Sequence, residues 1–128
     1  MTSNSNQRKY IRIQPSSEYP IPIHINGTNF FDILVAVDIS VGGVGIIVPH
    51  LFDGCQINEL VTLVITIPYP TKKSFIVKGI IRHVKGTRFG VQFVNLEAKH
   101  KSYIRKYISF HLNQISIWKK VKFLLHLI

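Results

Sequence analysis

Two short patterns carry side chains that could hold an anionic ligand. The first is Arg8-Lys9-Tyr10-Ile11-Arg12, in which two arginines stand four residues apart. A guanidinium group is a planar fork that pairs with phosphate or with the O6/N7 edge of guanine, and it also stacks on base faces. Two such groups on a mobile segment could grip one compact ligand. The alternative is an arm of solvated basic residues.

The second pattern is Asp38-Ile39-Ser40-Val41-Gly42-Gly43. Asp38 and Ser40 are two residues apart, so in an extended segment their side chains point to one face. A carboxylate there could accept hydrogen bonds from guanine N1–H and N2–H₂, and a hydroxyl could donate to a phosphate. Gly42 and Gly43 are expected to take positive φ and to admit a ligand. The alternative is a plain turn capped by Asp38 and Ser40.

Catalytic and metal-binding patterns are missing from the sequence. The six acidic residues form no close pair for acid–base chemistry, and the histidines show no HxxxH or HExxH spacing. No Walker loop or GxGxxG motif occurs. The single cysteine, Cys55, cannot form an intrachain disulfide and is interpreted as a small apolar residue near a loop. We therefore expect no enzyme, no metal site and no cofactor.

The elements that must position these patterns are mostly strands. With 128 residues and 46% hydrophobic content, the chain has the size and composition of one folded domain. Ile21, Ile23 and Ile25 alternate with polar residues or proline, a period-2 strand that Pro22 places at a sheet edge or at the start of the strand. Five more runs are bounded by turn residues: 30–39, 44–48, 60–67, 74–84 and 88–94. Six short strands predict a small antiparallel barrel or sandwich.

From Glu97 the pattern becomes helical, with apolar residues at spacings of three and four and Glu97 in the first turn. The predicted organisation is a flexible arm at 1–20, a barrel with its helix at 21–112, and a basic amphipathic helical tail at 113–128. In the tail, Trp118, Val121, Leu125 and Ile128 share one helix face. This face could extend the preceding helix against the barrel, contact a second chain or a partner, or lie on a membrane surface.

Taken together in this order and spacing, the two patterns resemble those of the PilZ domain family, RxxxR followed by [DN]xSxxG. The runs 79–84 and 87–93 resemble the final strand pair of the family, and the helix from Glu97 resembles the one that closes its barrel. The resemblance covers about residues 7–112. It implies a mainly β fold, a six-stranded antiparallel β-barrel with a C-terminal α-helix, and cyclic di-GMP as the ligand.

The resemblance also assigns roles. Arg8 and Arg12 would clamp guanine and phosphate, Asp38 and Ser40 would hold the base edge and phosphate from the barrel wall, and Gly43 would keep the turn open. Lys9 and Arg88 are second-tier candidates for ligand contact, and the alternative is that both are exposed surface charges without a binding role. Gln7 stands where some members carry a further arginine and take up a stacked ligand dimer, which leaves the stoichiometry open.

The expected function is that of a stand-alone cyclic di-GMP receptor. The arm orders around the ligand, and this change signals to a protein partner. The controlled process would be motility, surface polysaccharide or pilus function. The net charge of +10 also suits a nucleic-acid-binding barrel, although no strand shows a row of aromatics for base stacking. A third hypothesis is a PilZ-like interaction module without a ligand. The polar N-terminus and the lack of a membrane-spanning run predict a cytoplasmic bacterial protein, and the C-terminal helix offers a route to oligomers.

Overall fold

A computed structural model describes residues 10–28, 30–48 and 56–127, with side chains described as far as Gln114. Within these residues the element order is six strands followed by one helix: β1 (Pro22–Asn26), β2 (Phe31–Ser40), β3 (Gly43–Ile47), β4 (Leu60–Ile67), β5 (Lys73–Lys85), β6 (Arg88–Val94) and α1 (Ala98–Leu127). The strands close into an antiparallel barrel in the order β1-β2-β3-β6-β5-β4. The predicted fold class is confirmed.

The barrel interior is filled by the apolar residues that alternate along each strand. Ile23 and Ile25 of β1, Leu63 and Ile65 of β4 and Ile81 of β5 are fully buried. Pro22 is the first residue of β1, which pairs with β2 on one side and β4 on the other. Of the two positions predicted for Pro22, the strand start is therefore the observed one. The interior is a packed core, so a ligand has to bind outside it.

Two β-bulges change which residues face outward. In β2, Ala36 pairs with Ile46 and Asp38 with Gly45, so Val37 is an extra residue on its strand. Ala36 and Ile39 are both buried in the core, and simple alternation from Ala36 would have turned Asp38 inward. A second bulge in β5 lies between Ile81, which pairs with Val91, and His83, which pairs with Gly90.

The helix packs on the barrel through its first half. Ile104, Tyr107 and Ile108 are buried with the barrel core, and the Tyr107 hydroxyl donates a 2.6 Å hydrogen bond to the Tyr19 carbonyl oxygen. Burial raises the pKa of Tyr107 to about 12. The helix begins at Ala98 rather than at Glu97, whose carbonyl accepts the first helical hydrogen bond from Lys101. It continues without a break past residue 112, where the predicted helical tail begins.

Candidate functional site

The centre of the candidate site is the Asp38 carboxylate, which two arginines hold from opposite sides. Arg12 Nη1 lies 2.7 Å from Asp38 Oδ1, and Arg88 Nη2 lies 2.8 Å from Asp38 Oδ2. The Asp38 side chain is only 10% exposed, whereas those of Arg12 and Arg88 are 32% and 55% exposed. The buried carboxylate is thus paired, and the two cations reach solvent, where an anion could meet them.

Glycines make room for this arrangement on the outer wall of the barrel. Asp38, Gly45, Gly90 and His83 form one row across β2, β3, β6 and β5. A Cβ atom at Gly45 would lie 2.7 Å from Asp38 Oδ1, and one at Gly90 would lie 2.7 Å from His83 Cδ2. The two flanking side chains therefore lie flat over strands that have no side chains of their own at these positions.

Gly43 has a different role from the predicted one. Neither Gly42 nor Gly43 has positive φ, and among the described glycines only Gly86 does. The expectation of positive φ at this turn is wrong. A Cβ atom at Gly43 would instead collide with the Val91 carbonyl oxygen, so Gly43 is required by the close approach of β3 to β6. The turn itself is capped by Ser40, whose Oγ accepts a 3.1 Å hydrogen bond from the Gly42 amide.

A pocket of about 490 Å³ lies beside the Asp38 carboxylate. It is large enough for a nucleotide-sized ligand and combines cations, amide and hydroxyl groups with a glycine floor. Its lining residues are Tyr10, Arg12, Ser40, Gly42, Gly43, Val44, Arg82, His83, Gly90, Val91 and Gln92. Asp38 does not line the pocket, and each of its carboxylate oxygens accepts a hydrogen bond from an arginine.

Three of the five predicted site residues therefore line the pocket, namely Arg12, Ser40 and Gly43, and Asp38 reaches it through Arg12. Arg8 lies outside the described residues, as do Gln7, Lys9 and Cys55. The described part of the arm is tied down at Ile13, which is buried and exchanges two backbone hydrogen bonds with Ile39. This bridge fixes Arg12 next to Asp38.

Sequence reasoning missed the residues that β5 and β6 supply to the pocket. The bulge in β5 places Arg82 where its Nε donates to Gln92 Oε1 at 2.7 Å and its Nη1 to Asn58 Oδ1 at 3.0 Å. No local pattern in the sequence marks this bulge, because the adjacent apolar residues Phe75, Ile76 and Val77 already interrupt the alternation of polar and apolar residues along β5. Tyr10, the middle residue of the RxxxR pattern, packs against Gly42.

Within residues 10–28, 30–48 and 56–127, no group of three or more His, Cys, Asp or Glu side chains is placed to hold a metal ion. Across the same residues, no helix combines the length and apolar character needed to cross a membrane.

Comparison with known proteins identifies the family. The family model of the PilZ domain matches residues 6–110, and the chain therefore belongs to the PilZ domain family. A search of curated proteins finds no match.

Solved structures share the fold at low sequence identity. The inhibitor of motility MotI/DgrA of Bacillus subtilis superposes with a TM-score of 0.67 at 17% identity, over 83% of this chain and 52% of that one. The PilZ domain of Escherichia coli YcgR with c-di-GMP superposes with a TM-score of 0.66 at 17% identity, over 91% of this chain and 98% of that one. Borreliella burgdorferi PlzA in complex with c-di-GMP superposes with a TM-score of 0.56 at 16% identity, over 80% of this chain and 41% of that one. The chain thus spans about half of the inhibitor of motility and nearly all of the isolated YcgR domain.

Proposed function

We propose that this protein is a cyclic di-GMP receptor that binds the dinucleotide on the outer wall of its barrel. The observation that carries the proposal is the Arg12–Asp38–Arg88 bridge beside a pocket of about 490 Å³, in a chain of the PilZ domain family. Two PilZ structures of similar fold contain c-di-GMP. The role is binding rather than catalysis, and it requires no metal or further cofactor.

The site chemistry matches the ligand. Cyclic di-GMP carries two phosphates and two guanines, and Arg8 and Arg12 supply the charge-assisted donors for phosphate and for the guanine O6/N7 edge. Ser40 Oγ accepts from the Gly42 amide, which leaves its O–H to donate to the ligand. Arg88, Arg82 and Gln92 extend the same surface along β5 and β6.

Asp38 serves as the acceptor for guanine N1–H and N2–H₂. Each of its carboxylate oxygens holds one guanidinium and keeps a further lone pair. When Arg12 turns to the phosphate, one carboxylate edge opens toward the base. Binding therefore exchanges an internal ion pair for two ligand contacts.

The signal passes through the arm to a protein partner. Residues upstream of the Ile13–Ile39 bridge order around the ligand and change the surface that the partner meets. The controlled process is motility, surface polysaccharide or pilus function, and the receptor works in the bacterial cytoplasm. The arm, barrel and tail divisions at residues 20 and 112 belong to this proposal.

Isothermal titration calorimetry with cyclic di-GMP tests the proposal. Arg8→Ala and Arg12→Ala should each weaken binding ten-fold or more, because one charge-assisted bond is worth about 1.5–3 kcal/mol. Arg105→Ala, on the exposed face of α1, is the matched control with the same change in charge and should bind as the parent does. Asp38→Ala should reduce the preference for cyclic di-GMP over cyclic di-AMP.

Absence of heat at tens of micromolar cyclic di-GMP for the parent chain would refute the receptor function. A parallel titration with single-stranded RNA tests the alternative function, nucleic-acid binding. Tight RNA binding without dinucleotide binding would indicate that the basic residues of the chain bind nucleic acid instead.

A further inference from the structure

The barrel carries a second surface, on a different part of its wall from the pocket. In β2 the outward residues Phe31, Ile33 and Val35 are 64%, 57% and 50% exposed, and in β5 Ile76 is 66% exposed. Large apolar side chains exposed singly are ordinary, but three consecutive outward positions on one strand are not. We call Phe31, Ile33, Val35, Val64 and Ile76 the apolar face.

Strand pairing makes these residues contiguous. Ile33 pairs with His24, His24 with Val64, and Val64 with Ile76, which forms one row across β2, β1, β4 and β5. Residues directly opposite on neighbouring strands lie about 5 Å apart, so the row crosses four strands with one histidine inside it. Phe31 and Val35 flank Ile33 on its own strand.

The apolar face and the pocket share β2 and β5 but use different halves of them. Residues 31–35 of β2 and 74–78 of β5 precede the two bulges. Of the pocket residues, Ser40 and His83 follow the bulges, and Arg82 is the extra residue of the second one. A molecule bound on the apolar face would therefore leave the pocket open.

Charge decides between the candidate occupants of this face. Lys78 lies at an outward position beside the face, and the outward positions of these four strand segments include no carboxylate. Asp32 lies between Phe31 and Ile33 but alternates to the other side of β2, opposite the core residue Ile25. The chain as a whole has a net charge of +10, so two copies would repel each other. A partner with carboxylates around an apolar centre would be attracted instead.

We propose that the apolar face is the docking surface for a protein partner whose own contact surface is apolar at its centre and acidic at its rim. The existence of such a partner rests on the proposed function, while the location and chemistry of the surface rest on the strand rows and charges above.

Photocrosslinking in the cells that produce the protein identifies the occupant. Benzoylphenylalanine replaces Ile33 or Ile76 in the full chain, and Ile47 of β3, also an exposed isoleucine, is the matched control position. The expected result is one protein adduct common to positions 33 and 76 and missing at 47. An adduct between two copies of the chain, a lipid adduct, or no adduct would overturn the proposal.

Binding of the purified partner then tests the chemistry of the surface. Ile33→Glu should weaken binding ten-fold or more, Ile33→Lys should weaken it less, and raising salt from about 50 mM to about 500 mM should weaken it for the parent chain. Equal binding by the Ile33→Glu variant, or a larger loss with Ile33→Lys, would overturn the proposal. Both variants should keep the parent's affinity for cyclic di-GMP, so loss of docking is measured separately from any failure of dinucleotide binding.

Discussion

Replacing Gly45 by alanine would place one methyl group beneath the Asp38 carboxylate. The new Cβ would lie 2.7 Å from Oδ1 and 3.0 Å from Cγ and Oδ2, so the carboxylate has to shift. The backbone at Gly45 does not have positive φ, and alanine in a strand costs less conformational entropy than glycine. The Arg12 and Arg88 side chains are one-third and one-half exposed and can follow the shifted carboxylate, so the buried charge keeps its partners. We expect folding to change by less than about 1 kcal/mol.

The effect on binding should be much larger. The shifted carboxylate loses its bond to the guanine edge, which removes about 1.5–3 kcal/mol of binding free energy, or about ten- to hundred-fold in affinity. Calorimetry with cyclic di-GMP measures the affinity, and a thermal melt on the same sample measures the stability of the fold.

Gly86→Ala supplies the opposite pattern as a control. Its φ of +62° strains any side chain, yet a Cβ atom there would meet nothing within 4 Å. It should lose about 1–2 kcal/mol of stability and keep its affinity. Parental affinity in the Gly45→Ala variant would refute the role assigned to the Asp38 carboxylate.

Three further predictions concern the arm, the helix and the tail. Amide exchange at residues 10–12, upstream of the Ile13–Ile39 bridge, should slow when cyclic di-GMP is added, and equal exchange in both states would remove the proposed switch. The folded pKa of Tyr107, about 12, exceeds the value near 10 of an unfolded tyrosine. Between these values only the unfolded chain releases the proton, so the free energy of unfolding should fall by up to about 3 kcal/mol from pH 10 to 12. Tyr107→Phe should lack this pH dependence in denaturant titrations. A chain ending at Leu112 keeps the buried Ile104, Tyr107 and Ile108, and should stay folded and bind the ligand; precipitation would assign the tail to the core.

The sequence is informative where a local period decides the structure. Alternation of the isoleucines in β1 and the turn at Lys85-Gly86 are local signals, and the predicted strands agree with the observed ones to within a residue or two. The spacing of Asp38 and Ser40 likewise predicts that their side chains share one face of the strand, and the bulge at Val37 turns that face away from the core.

The bulges and the contacts around Asp38 depend on how the strands pair, which local sequence does not determine. The extra residues at Val37 and Arg82 exist only relative to the partner strand, so no local propensity reveals them. The role of Gly45 arises because Asp38 lies across from it on another strand, and Arg88 reaches Asp38 over 50 residues of sequence. Prediction of these contacts requires the register of the closed barrel.

The glycine positions under the candidate site have an evolutionary consequence. At Gly45 and Gly90 the outer wall of the barrel carries no side chain, while the barrel core on the other face of the same strands consists of Val44, Ile46, Phe89 and Val91. A glycine codon becomes an alanine codon by a single nucleotide change. If the protein is the proposed receptor, one such change weakens ligand recognition and leaves the core intact, so a lineage can retain the barrel as a scaffold for protein contacts.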